Sequence, residues 1–182
     1  YQPQLLADII EREAVHYLTV IPGMIMDFIG VLKDRAVKPK PIGMIGAMAD
    51  LVPRQQLAEI TTLLNAPYLN TFGSTETGMP PATANYVPVG TAPTSLSKRQ
   101  NDFCEIRLVD GDDNDVPDGD PGELAIRGPS LFSGYWNNDA ANAEAFRGGW
   151  FHMGDVFRRN PDGTLDFVDR VKYMIKSGGE NI

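Results

Sequence analysis

Residues 67–78 read PYLNTFGSTETG, and within this stretch an apolar run gives way abruptly to glycine, hydroxyls and a single carboxylate. The first six residues, PYLNTF, have the length and the aromatic and aliphatic content of a buried strand. The polar residues follow directly, at the place where open parallel sheets hold ligands, beyond the carboxyl end of a strand. Gly73 permits close backbone approach, Ser74, Thr75 and Thr77 carry hydroxyls able to bond phosphate oxygens, and Glu76 presents a hard oxygen suited to magnesium. Phe72 has a face that can stack on a flat ring. A polar loop closed by a glycine turn is the plain alternative, because short Gly/Ser/Thr clusters are common in loops. On chemistry alone both readings stay open.

Upstream of this stretch, helical and strand patterns alternate. Leu5, Leu6, Ile9, Ile10 and Ala14 recur at helical spacing, and YLTVI (17–21) is a short apolar run stopped by Pro22. Pro22 suits the first turn of a helix continued by MIMDFIGVL (24–32). The polar DRAVKPKP (34–41) breaks structure before the apolar IGMIG (42–46), and residues 53–64 place Leu57, Ile60, Leu63 and Leu64 on one helical face. This order implies an α/β fold with a parallel sheet.

Downstream the pattern changes. Proline, glycine and threonine crowd residues 77–94 and no helical period survives there. FCEIRLVD (103–110) and GELAIRG (122–128) are strand-like runs, as are GDVFRR (154–159) and TLDFV (164–168), which flank the reverse-turn signal NPDG (160–163). They predict hairpins of a small β-barrel-like subdomain. The boundary is expected near residue 85, giving an α/β subdomain over 1–85, the barrel-like one over 86–170, and a hinge leading into a further domain over 171–182.

The chain has 182 residues, 42% of them hydrophobic and 22% charged, the composition of a globular protein of one or at most two domains. No apolar run approaches the ~20 residues of a bilayer-spanning helix, and a cytoplasmic location is expected. The formal net charge is −8, unevenly spread: residues 1–90 carry 6 basic and 8 acidic side chains, residues 91–182 carry 10 and 16. This balance opposes binding to nucleic acid or an anionic membrane, so any anionic ligand must be held by local groups. The single cysteine, Cys104, excludes an internal disulfide and is expected in the core. Two histidines, His16 and His152, are too few for a soft zinc site and are expected to be packed or hydrogen-bonded. No internal repeat is evident. The chain opens directly into a helix and stops at SGGENI, which reads as an internal fragment of a longer protein.

Other stretches compete poorly as sites. The Gly-x-x-x-x-Gly-Lys-Ser/Thr phosphate loop is absent, and Gly43-x-x-Gly46 lacks dinucleotide-fingerprint spacing. The acidic run from Asp110 would put Asp115 and Pro121 where a calcium loop needs glycine and glutamate, so it reads as a solvated hairpin tip. Asp155, in WFHMGD (150–155), could accept two hydrogen bonds from a ribose diol, or could be a turn aspartate. Arg170 opens a basic cluster with Lys172 and Lys176; its guanidinium suits phosphate and ribose oxygens, and a salt bridge explains it equally well.

Taken in order, FGSTETG (72–78), GELAIRGPSLFSGYW (122–136), GGWFHMGD (148–155) and PDGTLDFVDRVKYMIKSGGENI (161–182) resemble the adenylate-forming superfamily, in particular its AMP-forming acyl-CoA synthetases. VHYLTVIPGM (15–24) is similar to a weaker family stretch ending in valine-proline. The resemblance covers roughly residues 40–182. It implies that the fold is part of the large N-terminal domain of such an enzyme. It also implies an activity: ATP and a carboxylic acid form an acyl-adenylate with release of pyrophosphate, and the acyl group then passes to coenzyme A, with Mg2+ assisting.

The resemblance further assigns roles. Thr75 would contact the phosphates and Glu76 would hold magnesium. Thr71, Phe72 and Gly73 would belong to the nucleotide site, with Phe72 against adenine, and the backbone of Gly46, Ala47 and Met48 would line its other side. Asp155 would grip the ribose hydroxyls, with Phe167 nearby and Arg170 on ribose or phosphate oxygens. Lys172 would be the hinge between half-reactions, and Lys176, Gly178 and Gly179 would form the loop that shapes the coenzyme A tunnel. Met48 stands where proline is frequent, Met153 replaces a usual threonine, and Ala140-Ala141-Asn142 replaces a common Glu-x-Thr. The family's upstream phosphate loop and its C-terminal lysine are missing, so the 182 residues by themselves are expected to be nearly inert.

Two rival readings are an adenylation domain that loads a carrier protein and a noncatalytic nucleotide-binding module. The closing KSGGENI resembles the coenzyme A branch more than the Lys-x-Arg-Gly ending of peptide-synthetase domains. The identity of the acid is not legible, and a homo-oligomer is left open.

Overall fold

The computed structural model describes residues 1–170, 176–177 and 180–181. Two compact units emerge. Residues 1–71, 84–96, 176–177 and 180–181 belong to the first, and residues 72–83 with 97–170 to the second.

In the first unit α1 (Pro3–Arg12), β1 (Tyr17–Thr19), α2 (Pro22–Asp34), β2 (Met44–Ala47), α3 (Arg54–Leu64) and β3 (Tyr68–Phe72) alternate as expected. Pro3 and Pro22 occupy the first turns of their helices, where a missing N–H costs nothing. α3 stops at Asn65, whose left-handed backbone (φ 48°) donates its N–H back to Thr62. The helical period that includes Ala14 runs too far: Glu13 is already extended (φ −105°, ψ 150°) and Ala14 is exposed, because the chain has turned toward β1. β1, β2 and β3 pair in parallel, Leu18 opposite Ile45 and Ala47 opposite Asn70. Ile25, Phe28, Ile45, Leu57, Ile60 and Tyr68, all fully buried, anchor one apolar core between sheet and helices. Gly46 is required there for space, since a Cβ would meet the Leu69 carbonyl oxygen at 2.6 Å and the Tyr17 hydroxyl at 3.0 Å.

The second unit is a meander. β6 (Glu105–Val109), β7 (Pro121–Arg127), β8 (Phe151–Arg159) and β9 (Leu165–Arg170) form an antiparallel sheet in sequence order. The acidic run after β6 is the hairpin connection to β7: Asp110 Oδ1 accepts the N–H groups of Asp112 and Asn114, both at 2.9 Å. NPDG turns β8 into β9 through Gly163 (φ 79°), and Asp162 Oδ1 accepts the Thr164 N–H and hydroxyl at 3.0 and 2.6 Å. The guanidinium groups of Arg107 and Arg127 approach the Trp150 ring at 5.4 and 4.6 Å.

Several short elements were not expected from the sequence. β4 (Ala82–Val87) lies in the stretch read as irregular, and its first residues pair antiparallel with β5 (Arg99–Gln100). α4 (Asp139–Ala145) buries no residue and is started by Asn138, whose side chain accepts the Ala141 N–H at 3.2 Å. A helix without a buried face leaves no apolar period to read. Near the end of the chain, β10 (Lys176–Ser177) and β11 (Glu180–Asn181) form a short antiparallel ladder. Among the described residues no helix is long and apolar enough to cross a membrane.

Candidate active site

The polar loop after β3 is closed by its own hydroxyl. Thr75–Thr77 make one 3-10 turn, and the Thr77 hydroxyl accepts the Ser74 N–H at 3.1 Å while donating to the Ser74 carbonyl at 2.9 Å. Thr77 is 1% exposed, so its hydroxyl is committed to the turn and the phosphate role suggested for it from sequence does not hold. Gly73, Ser74 and Thr75 are exposed and Glu76 is half-buried. Gly78 ends the turn at φ 66°, and a Cβ there would meet the Ser130 carbonyl oxygen at 2.6 Å. The turn's own hydrogen bonds and the close approach of Ser130 thus hold the loop backbone in place.

The wall beside it comes from residues 130–135. The Phe132 N–H donates to the Glu76 carbonyl at 2.9 Å, and the Tyr135 hydroxyl donates to Glu76 Oε1 at 3.2 Å. Burial would push the Glu76 carboxyl up, but hydrogen bonds from Ser74, its own backbone and Tyr135 outweigh this and hold it below the usual glutamate range. Tyr135 is itself held by Asn142, which accepts the Tyr135 N–H at 2.7 Å and donates to its carbonyl at 2.9 Å. The asparagine that departs from Glu-x-Thr thus supplies two hydrogen bonds to the backbone of the residue touching Glu76. Phe132 packs edge-on against Tyr135 and Phe151, with ring centroids 4.9 and 5.3 Å away.

Asp155 sits in a bulge of β8 and is 2% exposed. It pairs across β8–β9 with Arg170, whose Nε lies 2.8 Å from Asp155 Oδ1. The ribose acceptor and the phosphate cation expected from sequence are therefore brought together. Phe72 is 2% exposed, with its ring edge-on to Phe157 at 4.5 Å, and Phe157 in turn meets the half-buried Phe167 at 5.6 Å. Phe72 thus packs as a core side chain of the second unit. A cavity of about 610 Å3 has Tyr135, Met153, Gly154 and Arg170 in its walls. The partner of Glu76 and the partner of Asp155 face one space.

In the first unit Gly46 and Ala47 end β2, Met48 follows half-buried, and Thr71 lies at the carboxyl end of β3. Asn70, unremarked in the sequence, organises this edge. It is fully buried; Oδ1 accepts the Ala49 N–H at 2.7 Å and Nδ2 donates to the Leu96 carbonyl at 3.2 Å. A lone polar residue in an otherwise apolar strand run was the available signal. Tyr135 and Glu123 were also missed as individuals, although both lie inside a quoted motif.

Lys172, Gly178 and Gly179 lie outside the described residues, and Lys176 is placed in β10. His152 is packed as expected, its side chain 4% exposed with Nδ1 3.3 Å from Glu123 Oε2, whereas His16 is exposed on the approach to β1. Cys104 precedes β6 and is half-buried rather than core; burial pushes its thiol up. Among the described residues no group of three or more His, Cys, Asp or Glu could hold a metal. Glu76 offers a single hard carboxylate oxygen of the kind magnesium takes.

Known proteins resemble this chain in sequence and fold. The family model for AMP-binding enzymes matches residues 1–136. Indoleacetate–CoA ligase of Aromatoleum aromaticum is 32% identical over 176 residues, covering 96% of this chain and 34% of the relative. A long-chain-fatty-acid–CoA ligase of Escherichia coli is 46% identical over 78 residues, which cover 43% of this chain and 14% of the relative. The crystal structure of a benzoate CoA ligase from Burkholderia xenovorans superposes with a TM-score of 0.70 at 25% identity, over 94% of this chain and 34% of that one. The chain spans about a third of the length of the relative matched along most of it. With 136 of its 182 residues matched, the chain belongs to the AMP-binding enzyme family, the adenylate-forming superfamily, and within it is acyl-CoA-ligase-like.

Proposed function

We propose that this chain carries part of the nucleotide site of an ATP-dependent, AMP-forming carboxylic acid–CoA ligase. In the first half-reaction a carboxylate oxygen attacks the α-phosphorus of ATP, and pyrophosphate leaves with the electrons of the broken P–O bond. In the second, the sulfur of coenzyme A attacks the acyl carbon and AMP departs. The first step brings an anion onto an anionic centre, so donors and cations must offset the developing charge.

The residues of the second unit suit that task. Asp155, buried and set in a bulge, would accept hydrogen bonds from the ribose hydroxyls, while Arg170 at 2.8 Å offers its remaining N–H groups to ribose or phosphate. Thr75 would donate to phosphate from a turn that Thr77 has already closed. Glu76, kept ionised, would orient magnesium, which when bound supplies positive charge to the phosphates. The single observation that carries this reading is that the partners of both carboxylates, Tyr135 and Arg170, line one cavity. ATP and coenzyme A as co-substrates are consistent with a cytoplasmic enzyme.

The test is acid-dependent exchange of pyrophosphate into ATP by the protein at its natural full length, across aliphatic and aromatic carboxylic acids, followed by thioester formation with coenzyme A. Exchange with thioester product is expected for at least one acid. Exchange without any coenzyme A thioester would move the acceptor to a carrier protein, and no exchange with any acid would remove the ligase reading.

A further inference from the structure

The bulge that delivers Asp155 is held by a side chain from the neighbouring strand. β7 and β8 pair at Glu123 with Val156 and again at Ala125 with His152, so Met153, Gly154 and Asp155 all crowd opposite Leu124. Residues in such a bulge lose their ladder partners, and a backbone N–H there must find another acceptor. Glu123 Oε1 accepts the Gly154 N–H at 3.1 Å. Its second oxygen accepts from Arg147 Nη2 at 2.6 Å and lies 3.3 Å from His152 Nδ1. Arg147 Nε also bonds both oxygens of Asp113, at 2.9 and 3.1 Å. Side-chain exposure is 14% for Glu123 and 4% for His152, so water competes weakly and charge-assisted bonds keep most of their strength. Gly154 is at φ 73° with open space where a Cβ would stand, so glycine is needed there for its backbone angle and not for room.

We propose that Glu123 is a positioning residue for nucleotide binding. Its carboxylate, braced by Arg147 and His152, fixes the Gly154 peptide and thereby sets Asp155 in register with Arg170. This rests on the ribose reading of Asp155 given above. Removing the carboxylate leaves the Gly154 N–H without its acceptor, and β8 can relax the bulge and carry Asp155 away from the ribose.

The experiment compares ATP with 3′-deoxy-ATP as substrates of the full-length protein, using the ratio of kcat/KM as the measure of ribose recognition. Asp155→Ala is expected to abolish the preference for ATP. Glu123→Ala and Glu123→Asp, which remove or withdraw the acceptor, are expected to reduce it about tenfold, the equivalent of one hydrogen bond. Glu123→Gln keeps one oxygen for Gly154 but turns an amide NH2 toward Arg147, so it loses the brace and is expected to fall between the parent and Glu123→Asp. Amide exchange at Gly154 reads the clamp directly: slow in the parent, intermediate in Glu123→Gln, at least tenfold faster than the parent in Glu123→Asp. Should Glu123→Ala fail to fold, Glu123→Asp and Glu123→Gln still decide the matter. Loss of ribose preference in Asp155→Ala with full retention in Glu123→Asp would overturn the proposal, as would unchanged exchange at Gly154. Full preference in Asp155→Ala would instead overturn the ribose reading beneath it.

Discussion

Gly46 in the first unit and Gly154 in the second are glycine for opposite reasons, and the two units use polar groups differently. In the first, Gly46 is present because the sheet leaves no room, with backbone oxygen 2.6 Å from where a Cβ would stand. In the second, Gly154 has open space around it and is present because its backbone is at φ 73°. The first unit is held by a continuous apolar cluster from α1, α2, α3 and the parallel strands, with Asn70 as a buried polar tie. The second sets its candidate site by polar pairs: Tyr135 on Glu76, Arg170 on Asp155, Glu123 on Gly154. A packed core tolerates little change in volume, whereas a polar network tolerates little change in partner.

Substitutions can break or sharpen this contrast. The largest effect is expected in the first unit, where Phe28→Ala empties a fully buried ring site and should cost about 3–5 kcal/mol in urea unfolding. The two glycines come next. Gly46→Ala should cost roughly 1–3 kcal/mol through overpacking, and a larger side chain should be worse. Gly154→Ala should cost about 1–2 kcal/mol through left-handed backbone strain, largely independent of side-chain size. Equal size dependence at both positions would erase the distinction.

Smaller still is Tyr135→Phe, which removes one hydrogen bond from a partly exposed carboxylate and should cost at most about 1 kcal/mol of stability. Its expected signature is local: the Glu76 carboxyl, followed by NMR titration, should move up toward the ordinary glutamate value.

The smallest effect concerns pH at the β8–β9 turn. Bonds from the Thr164 hydroxyl and N–H hold the fully exposed Asp162 carboxyl below its usual value. A depressed carboxylate contributes stability above the unfolded value and loses it as pH falls through the folded one. Asp162→Asn should therefore flatten a slight acid-side decline in stability below about pH 4 and leave neutral pH unaffected. A decline of the same size in the variant would assign it to another carboxylate.

Much of the first unit was legible because its signals are local. The periods of Leu6 and Ile10, of Phe28 and Leu32, and of Leu57, Ile60 and Leu64 each mark a core-facing side of one helix. NPDG announced the β8–β9 turn for the same reason, since turn chemistry is carried by adjacent residues. β4 and α4 were not legible, because β4 buries only Ala82 and Val87 at its two ends and α4 buries nothing, so neither has a periodic buried face.

The residue types in FGSTETG and WFHMGD determined that hydroxyls, a metal-suited carboxylate and a diol-suited carboxylate were available. Only the tertiary structure decided which of them are spoken for. Thr77 spends its hydroxyl on Ser74 and Phe72 buries its ring on Phe157, whereas Glu76 and Asp155 acquire partners 59 and 15 residues further along the chain. Hydrogen-bond partnership and burial depend on distances across strands, and a linear sequence contains residue chemistry but not those distances.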